Sequence, residues 1–205
     1  MTAATPDLAL PFLDDAGRAL LFTEARTANA FAPTPVGDEQ LSEIWELAKW
    51  GPTSANTQPL RVVYVRSPEA RDRLLPLMAE GNRAKTASAP AIALLAVDTE
   101  FHEHIPTVMP YRPEMREVFA GNDAHRERTG QFNAALQTGY FILSVRAHGL
   151  AAGPMSGFDA RAVDAEFFPG GRFRSVLVVN IGHPAENAWF GRLPRLDHAT
   201  VVEFV

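Results

Sequence analysis

Cysteine is absent from all 205 residues. That excludes disulfides, thiolate nucleophiles and cysteine-bound zinc, and it agrees with a reducing, cytoplasmic location only by default. A basic excess is absent too: 19 Lys and Arg stand against 24 Asp and Glu, for a net charge of −5 and a pI near 5.7. Nucleic acid and anionic membrane surfaces are therefore not expected partners. Long apolar runs are also missing. The longest, Ala89 to Val97, falls well short of the roughly 20 residues of a membrane span. The N-terminal stretch MTAATPDLALPFLDD has no basic n-region and carries Asp7, Asp14 and Asp15, so no secretory leader is expected there.

The usual nucleotide fingerprints are lacking as well. Gly149, Gly153 and Gly157 are spaced four apart and follow a helix, whereas GxGxxG follows a strand, and no P-loop pattern occurs. Ser156 lies in GPMSGFD, which does not match the GxSxG elbow of a serine hydrolase. His102 and His104, with Glu100, Glu103 and His125, are the one candidate metal cluster. The plainer reading is a solvated segment, because a closed site needs a third ligand at a defined spacing.

What is present is ordinary globular composition, 46% hydrophobic and 21% charged. One domain over residues 1–205 is expected, long enough for a sizeable core. The pattern predicts a helix over 14–25, an irregular stretch ARTANAFAPTP, and an amphipathic helix over 38–50 with Leu41, Ile44, Trp45, Leu47 and Ala48 on one stripe. A strand over 61–66 follows. Ser67-Pro68-Glu69 then starts a helix running to Met78. EGNRAKTASAP reads as a connection to a strand at 91–97, apolar throughout and so covered on both faces. Residues 98–121 hold three prolines and no clean period; they read as an excursion with one short helix, the candidate lid. A long helix over 124–147 carries Ala134, Ala135, Gly139 and Ser144 for close helix packing, and Gly149 caps it. GLAAGPMSGFD reads as a glycine-rich turn, Asp159 as the cap of a helix to Phe168, and 175–181 as a second buried strand. The end is loop, with a final strand at 200–205. The elements mix without regular alternation, which allows no more than a mixed α and β fold.

WGPTSANTQP, residues 50–59, raises the functional question. Gly51 and Pro52 suffice to end a helix, yet Thr53, Ser54, Asn56, Thr57 and Gln58 follow, each small or amide-bearing. Such a run either satisfies loop backbone or faces a flat ligand with polar edges. Similar side chains recur at other element ends: Arg26 and Thr27, Asn82 and Lys85, Ser156 and Gly157, Arg192 and Arg195. Each alone is more simply a solvated arginine or a loop cap. Together and in order they say more.

ARTANAF, GPTSANTQP, NRAK before ASAPAI, GLAAGPMSGFD and GRLPRL, spread over residues 16–197, resemble the nitroreductase family of FMN-dependent oxidoreductases. KWGPTSAN, GPMSGFD and RLPRL look most like its malonic semialdehyde reductase branch. The resemblance implies an α+β fold with a central, mainly antiparallel sheet flanked by helices, in an intertwined homodimer with two FMN sites at the interface. It implies Arg26 and Arg192 at the FMN phosphate, and Thr27 and Asn29 along the ribityl chain and pyrimidine edge. Pro52, Thr53, Ser54 and Asn56 would come from the partner copy. Asn82 and Lys85 would meet the pyrimidine side, and Pro154, Ser156 and Gly157 would lie along the ring. Many relatives carry a basic residue at the position of Asn29 and an acidic one at that of Ser156. Lys85 is then left to hold positive charge near the flavin O2 atom.

The implied chemistry belongs to the cofactor, with NADH or NADPH as hydride donor and a small molecule as acceptor, so no catalytic side chain and no metal ligand are named. Reduction of malonic semialdehyde to 3-hydroxypropionate is the expected reaction. A general nitroaromatic or quinone reductase, or a non-catalytic flavin-binding domain, are the alternatives. Arg112 and Arg116 in the candidate lid either clamp a substrate carboxylate or balance Glu114 and Glu117.

Overall fold

The computed structural model describes residues 10–205. The expectation of a tail without leader character at residues 1–9 lies outside them. Asp14 caps α1 (Asp15–Arg18), its carboxylate accepting from the Gly17 N–H at 2.7 Å. The chain then widens into i+5 turns over Ala19–Thr23 and stops, short of the helix expected to Ala25. α2 (Asp38–Ala48) buries Leu41, Ile44 and Ala48, as its spacing predicts. Trp45 packs half-buried against the core beneath, whereas Trp50 past the helix end is 77% exposed.

β1 (Leu60–Val65) leads to α3 (Pro68–Leu74), where Ser67 accepts from the Ala70 N–H at 3.1 Å and Pro68 opens the helix. A tight turn, Leu75–Leu77, precedes α4 (Glu80–Ser88), where a connection was expected. α4 has no apolar stripe to betray it. Arg83 ties it down by donating to the carbonyls of Met78 and Pro76, and buried Thr86 faces the sheet. β2 (Ala91–Asp98) comes next. The excursion is more helical than the single helix expected: a tight turn Phe101–His104, α5 (Ile105–Val108) and α6 (Met115–Ala120).

Asn122 caps α7 (Asp123–Ala147), accepting from the His125 N–H at 3.0 Å; Gly149, at φ 71°, ends it in the left-handed conformation. The expected glycine-rich turn is instead β3 (Ala151–Met155). Pro154 is tolerated because β3 is an edge strand, and Gly153 is needed because a Cβ there would lie 2.8 Å from the Ala28 carbonyl oxygen. Asp159 caps α8 (Ala160–Phe167), and β4 (Phe173–Gly182) follows. The last element is α9 (His198–Val201), not the strand expected at 200–205. With no neighbouring strand to pair with, the β-propensity of TVVEFV does not make one.

The strands form one antiparallel sheet in the order β1-β2-β4-β3, as expected of a mainly antiparallel α+β fold. Every residue of β2 is buried. Ala91, Ala93, Leu95 and Val97 join a core with Leu41, Ile44, Ala134, Phe141 and Val145, under α2 and α7. Ile92, Leu94 and Ala96 face the other way, onto Leu74, Met78, Val163 and Phe168. A third, smaller cluster of Phe101, Ile105, Met109 and Phe119 sits inside the excursion, with Ala55 of the 53–58 loop against it.

Asp98 fastens the base of that excursion. Its fully buried carboxylate accepts from Arg61 Nη2 at 2.7 Å, from Arg172 Nε at 2.8 Å and from the Glu100 N–H at 2.9 Å. Arg172 also reaches Glu103 at 2.9 Å. Burial pushes the Asp98 pKa up, but the Arg172 hydrogen bond, the Arg61 charge and the Glu100 N–H outweigh it, leaving the carboxyl below its ordinary value. A depressed pKa contributes stability above the ordinary carboxylate range, lost as pH falls toward the folded-state value. Asp98→Asn should therefore cost about 1–3 kcal/mol in urea unfolding at pH 7, with the half-exposed arginines keeping the figure low. The deficit should shrink near pH 3; an equal deficit at both pH values would show that the charge contributes nothing.

Candidate functional site

The expected site residues fall into two groups. The larger forms around the free edge of β3. Residues 28–32 run along that edge and are held on their other side by 183–188. Ala28 N–H donates to Ala152 at 3.1 Å, Asn29 N–H to Ala188 at 2.9 Å, Ala32 N–H to His183 at 2.9 Å and Ala185 N–H to Ala30 at 3.2 Å. This lacing brings Arg26, Thr27 and Asn29 to Ala152 and Gly153 of β3 and to the segment carrying Trp189 and Arg192. Arg192 Nη2 donates to the Ala25 carbonyl at 3.5 Å, and Arg26 Nη1 to that of Phe190 at 3.4 Å. The Asn29 amide donates to the Thr27 carbonyl at 3.1 Å and accepts from Lys85 Nζ at 3.5 Å.

The end of β3 is joined to the start of α4 in the same way. Ala79 N–H donates to the Gly157 carbonyl at 3.0 Å, and Asn82 Nδ2 to the same oxygen at 2.8 Å. A Cβ on residue 157 would lie 2.6 Å from Asn82 Nδ2, so glycine is what lets this junction close. Ser156 is exposed beside it. Arg26, Lys85 and Arg192 form no ion pair with a carboxylate among the described residues. Arg26 and Arg146 line one cleft of about 200 Å³ with Trp189 and Glu24. Burial lowers the Arg146 pKa, and its guanidinium donates to the Leu21 carbonyl at 3.2 Å.

The second group, Pro52, Thr53, Ser54 and Asn56, lies elsewhere. Ser54 N–H donates to Asn133 Oδ1 at 2.7 Å, thirteen residues before Arg146 on α7. At a rise of about 1.5 Å per residue the two positions are about 20 Å apart. Among the described residues no hydrogen bond joins the two groups. The loop itself is strained: Ala55, Asn56 and Gln58 have φ of 50°, 49° and 43°. Thr53 Oγ1 accepts from the Gln58 N–H at 3.2 Å, Asn56 Oδ1 accepts from Gln58 Nε2 at 3.0 Å, and Asn56 Nδ2 donates to the Val108 carbonyl of the excursion at 2.6 Å.

Other expectations resolve plainly. Arg112 pairs with Glu114 at 3.1 Å and Arg116 with Glu117, the balancing arrangement. No three His, Asp or Glu side chains converge as a metal requires among the described residues. His102 is buried against Phe101, and burial lowers its pKa, while exposed His104 sits 3.7 Å from Asp98. Asn133 and Trp189 escaped the sequence reading. Asn133 had a signal: with Gln137 it puts two amides at i, i+4 on the buried stripe of α7. Trp189 had none.

The sequence pattern shared by the nitroreductase family matches residues 23–183. The chain belongs to the nitroreductase family. A Streptomyces coelicolor protein provisionally named NADH dehydrogenase/NAD(P)H nitroreductase is 58% identical over 195 residues, covering 95% of this chain and 96% of its own length. A Leptothrix cholodnii protein of the same provisional name is 56% identical over 180 residues, covering 88% and 91%. Among solved structures, a provisionally named nitroreductase of Bacillus subtilis superposes with a TM-score of 0.82 at 24% identity, covering 93% of this chain and 99% of its own. One from Exiguobacterium sibiricum, solved in complex with FMN, gives 0.79 at 20%, covering 88% and 93%. These likenesses establish the nitroreductase fold that the sheet and its flanking helices display.

Asn133 is the side chain that holds the strained loop from behind, with Nδ2 donating to the Thr129 carbonyl at 2.8 Å. Asn133→Leu leaves the Ser54 N–H without its acceptor, at a cost of about 1–2 kcal/mol. Amide exchange at Ser54 and Gln58 should accelerate about fivefold to thirtyfold while β2 amides keep their protection. Unchanged exchange in the loop would show that it holds its shape without Asn133.

Proposed function

We propose that this nitroreductase-family chain, acting as one unit over residues 1–205, is an FMN-dependent oxidoreductase. NADH or NADPH is the hydride donor and a small organic molecule the acceptor. The observation that carries the reading is the set of three cations, Arg26, Lys85 and Arg192, gathered around the free edge of β3 and forming no ion pair among the described residues. Two planar guanidinium forks suit a phosphate dianion, and an ammonium beside the Asn29 amide suits the electron-rich edge of a flavin.

The residues fit FMN in the chemistry of their donors. Arg26 and Arg192 would hold the phosphate, Thr27 and Asn29 the ribityl chain and pyrimidine edge. Asn82 and Lys85 would hold the pyrimidine side, and Pro154, Ser156 and Gly157 would line the ring. Bound FMN would supply hydride transfer, from nicotinamide to acceptor. Lys85 would keep a positive charge beside the pyrimidine, where negative charge accumulates on reduction. The missing side chain at Gly157 lets the Asn82 amide close onto the end of β3, which would fix that amide beside the ring.

Homodimerisation is part of the proposal, with Pro52, Thr53, Ser54 and Asn56 of one copy completing the site of the other. Two observations support it. Asn133, which holds the second group, lies about 20 Å along α7 from Arg146, which lines the Arg26 cleft of the same chain. Phe132, Leu136 and Tyr140 form an exposed apolar stripe on α7, next to exposed Leu47 and Trp50. Gly139 within that stripe has nothing within 4 Å of where its Cβ would be. Closely packed apolar stripes of this kind suit a two-fold contact.

For the acceptor we propose malonic semialdehyde, on the wording of KWGPTSAN, GPMSGFD and RLPRL. The pairing of Arg112 and Arg116 with neighbouring glutamates removes the candidate carboxylate clamp, and the names of the relatives favour a nitro compound. Rates for malonic semialdehyde, a nitroaromatic and a quinone on the same reduced protein decide between them.

The central test is direct. The purified protein should bind FMN and be bleached anaerobically by NADH or NADPH. Arg26→Ala should weaken FMN about tenfold to a hundredfold, a loss of roughly 1.5–3 kcal/mol, and leave riboflavin little changed. Binding without bleaching would point to a flavin carrier, and equal losses for both ligands would remove Arg26 from the phosphate. The shared site has its own test. Arg26→Glu and Asn56→Arg, each expected to lose FMN, are unfolded, mixed equally and refolded. Random pairing should restore about a quarter of the sites, because every heterodimer keeps one intact. No restoration, with heterodimers verified by mass, would place both residues in one chain's site.

A further inference from the structure

Arg26 is unusual among the arginines of this chain in what holds it. It forms no ion pair among the described residues, and its hydrogen bond to the Phe190 carbonyl is long, 3.4 Å. Its guanidinium carbon instead lies 5.2 Å from the centre of the Trp189 ring. Trp189 in turn is set in place by backbone. The preceding residue, Ala188, is fully buried, its carbonyl accepting from the Asn29 N–H at 2.9 Å and its N–H donating to the Ala185 carbonyl at 3.0 Å. The indole is therefore registered against the segment that carries Arg26, three residues before Asn29.

The two ways of fixing an arginine differ in what they leave over. A carboxylate partner orients the fork but consumes two of its N–H donors and cancels its charge. An aromatic face attracts the cation through the ring quadrupole and leaves the charge whole and the in-plane donors pointing outward. Glu24 lines the same cleft, yet forms no ion pair with Arg26 or Arg146. The local geometry thus spends aromatic surface where a carboxylate would have been simpler.

We propose that Trp189 is the positioning residue for Arg26 and so sets the preference of this site for a phosphorylated flavin over an unphosphorylated one. The proposal rests on the FMN reading above and deepens it. Trp189 acts through Arg26 and touches no reacting atom. Its own exposure of 36% places its energetic effect toward the modest end of cation–π contacts.

The test compares FMN and riboflavin binding to the flavin-free protein, by quenching of flavin fluorescence, for wild type, Trp189→Leu, Trp189→Phe, Arg26→Ala and the double variant Trp189→Leu/Arg26→Ala. Trp189→Leu should weaken FMN about threefold to tenfold while riboflavin holds steady, so that the ratio of the two affinities falls. Trp189→Phe, keeping an aromatic face, should recover most of that ratio. The double variant should bind FMN no worse than Arg26→Ala, because the indole acts only through the guanidinium. Equal weakening of both ligands by Trp189→Leu would make Trp189 a mere wall of the cleft and overturn the proposal, as would additive losses in the double variant or an unchanged ratio. If Trp189→Leu does not fold, the non-aromatic Trp189→Gln and Trp189→Met take its place: a ratio that holds at the wild-type value in either folded variant while it falls for Arg26→Ala overturns the proposal. Failure of the FMN reading looks different, since wild type and Arg26→Ala would then treat the two flavins alike.

Discussion

No face of β2 is turned to water, and the molecule is arranged around that constraint. A strand buried on both sides needs a layer over each of them and a partner along each edge. Its odd and even residues supply two separate cores, one under α2 and α7, the other under α3 and α8. Its edges are taken by β1 and β4. What is left over is β3, outermost beyond β4, with one edge unpaired by any strand. The 28–32 segment covers that edge incompletely, and the cations of the candidate site collect there. The position of the site is thus a residue of how the interior was filled.

The second group depends on a different kind of constraint. Three non-glycine residues in left-handed conformation within the 55–58 stretch cost of order 1–3 kcal/mol each in isolation. They persist because four hydrogen bonds and the packing of Ala55 over-determine the loop. Two of its holders lie outside it, Asn133 on α7 and the Val108 carbonyl in the excursion. The loop and the excursion therefore share one set of contacts: displacing residues 105–109 would release the Asn56 amide, and rebuilding the loop would remove a wall from the cluster around Phe101.

Much of this was legible beforehand, for reasons that can be named. α2 announces itself by period and β2 by an unbroken apolar run, and Ser67-Pro68 and Asp159 cap as small polar residues do. α4 was not legible, because its helix is held by Arg83 and Thr86 reaching other elements while its surface stays polar. β3 was not legible because Gly153 and Pro154 are turn residues by habit; here one permits the Ala28 carbonyl to come close and the other is harmless at an edge. The two site groups were both named in advance from a resemblance. The dependence of one on Asn133 and of the other on Trp189 was invisible, since contacts between residues 79 or 163 positions apart leave no periodic trace.

The place of β4 in the middle of the sheet has a consequence for how the chain comes into being. β1 and β2 are made early and can pair, but the other edge of β2 has its permanent partner only once Phe173–Gly182 has emerged. At a synthesis rate of about 5–20 residues per second, the intervening stretch takes roughly 4–15 s to appear. For that interval AIALLAV offers an uncharged, wholly apolar ribbon with open backbone groups, the kind of template on which nascent chains adhere to one another. The aspartate that ends it, and the arginines on either side of the finished sheet that later claim it, are the first charges such a ribbon meets. A chain built in this order is a natural client for whatever shields nascent polypeptides, and its yield should respond to the speed of translation across residues 99–172 more than to the stability of the finished fold.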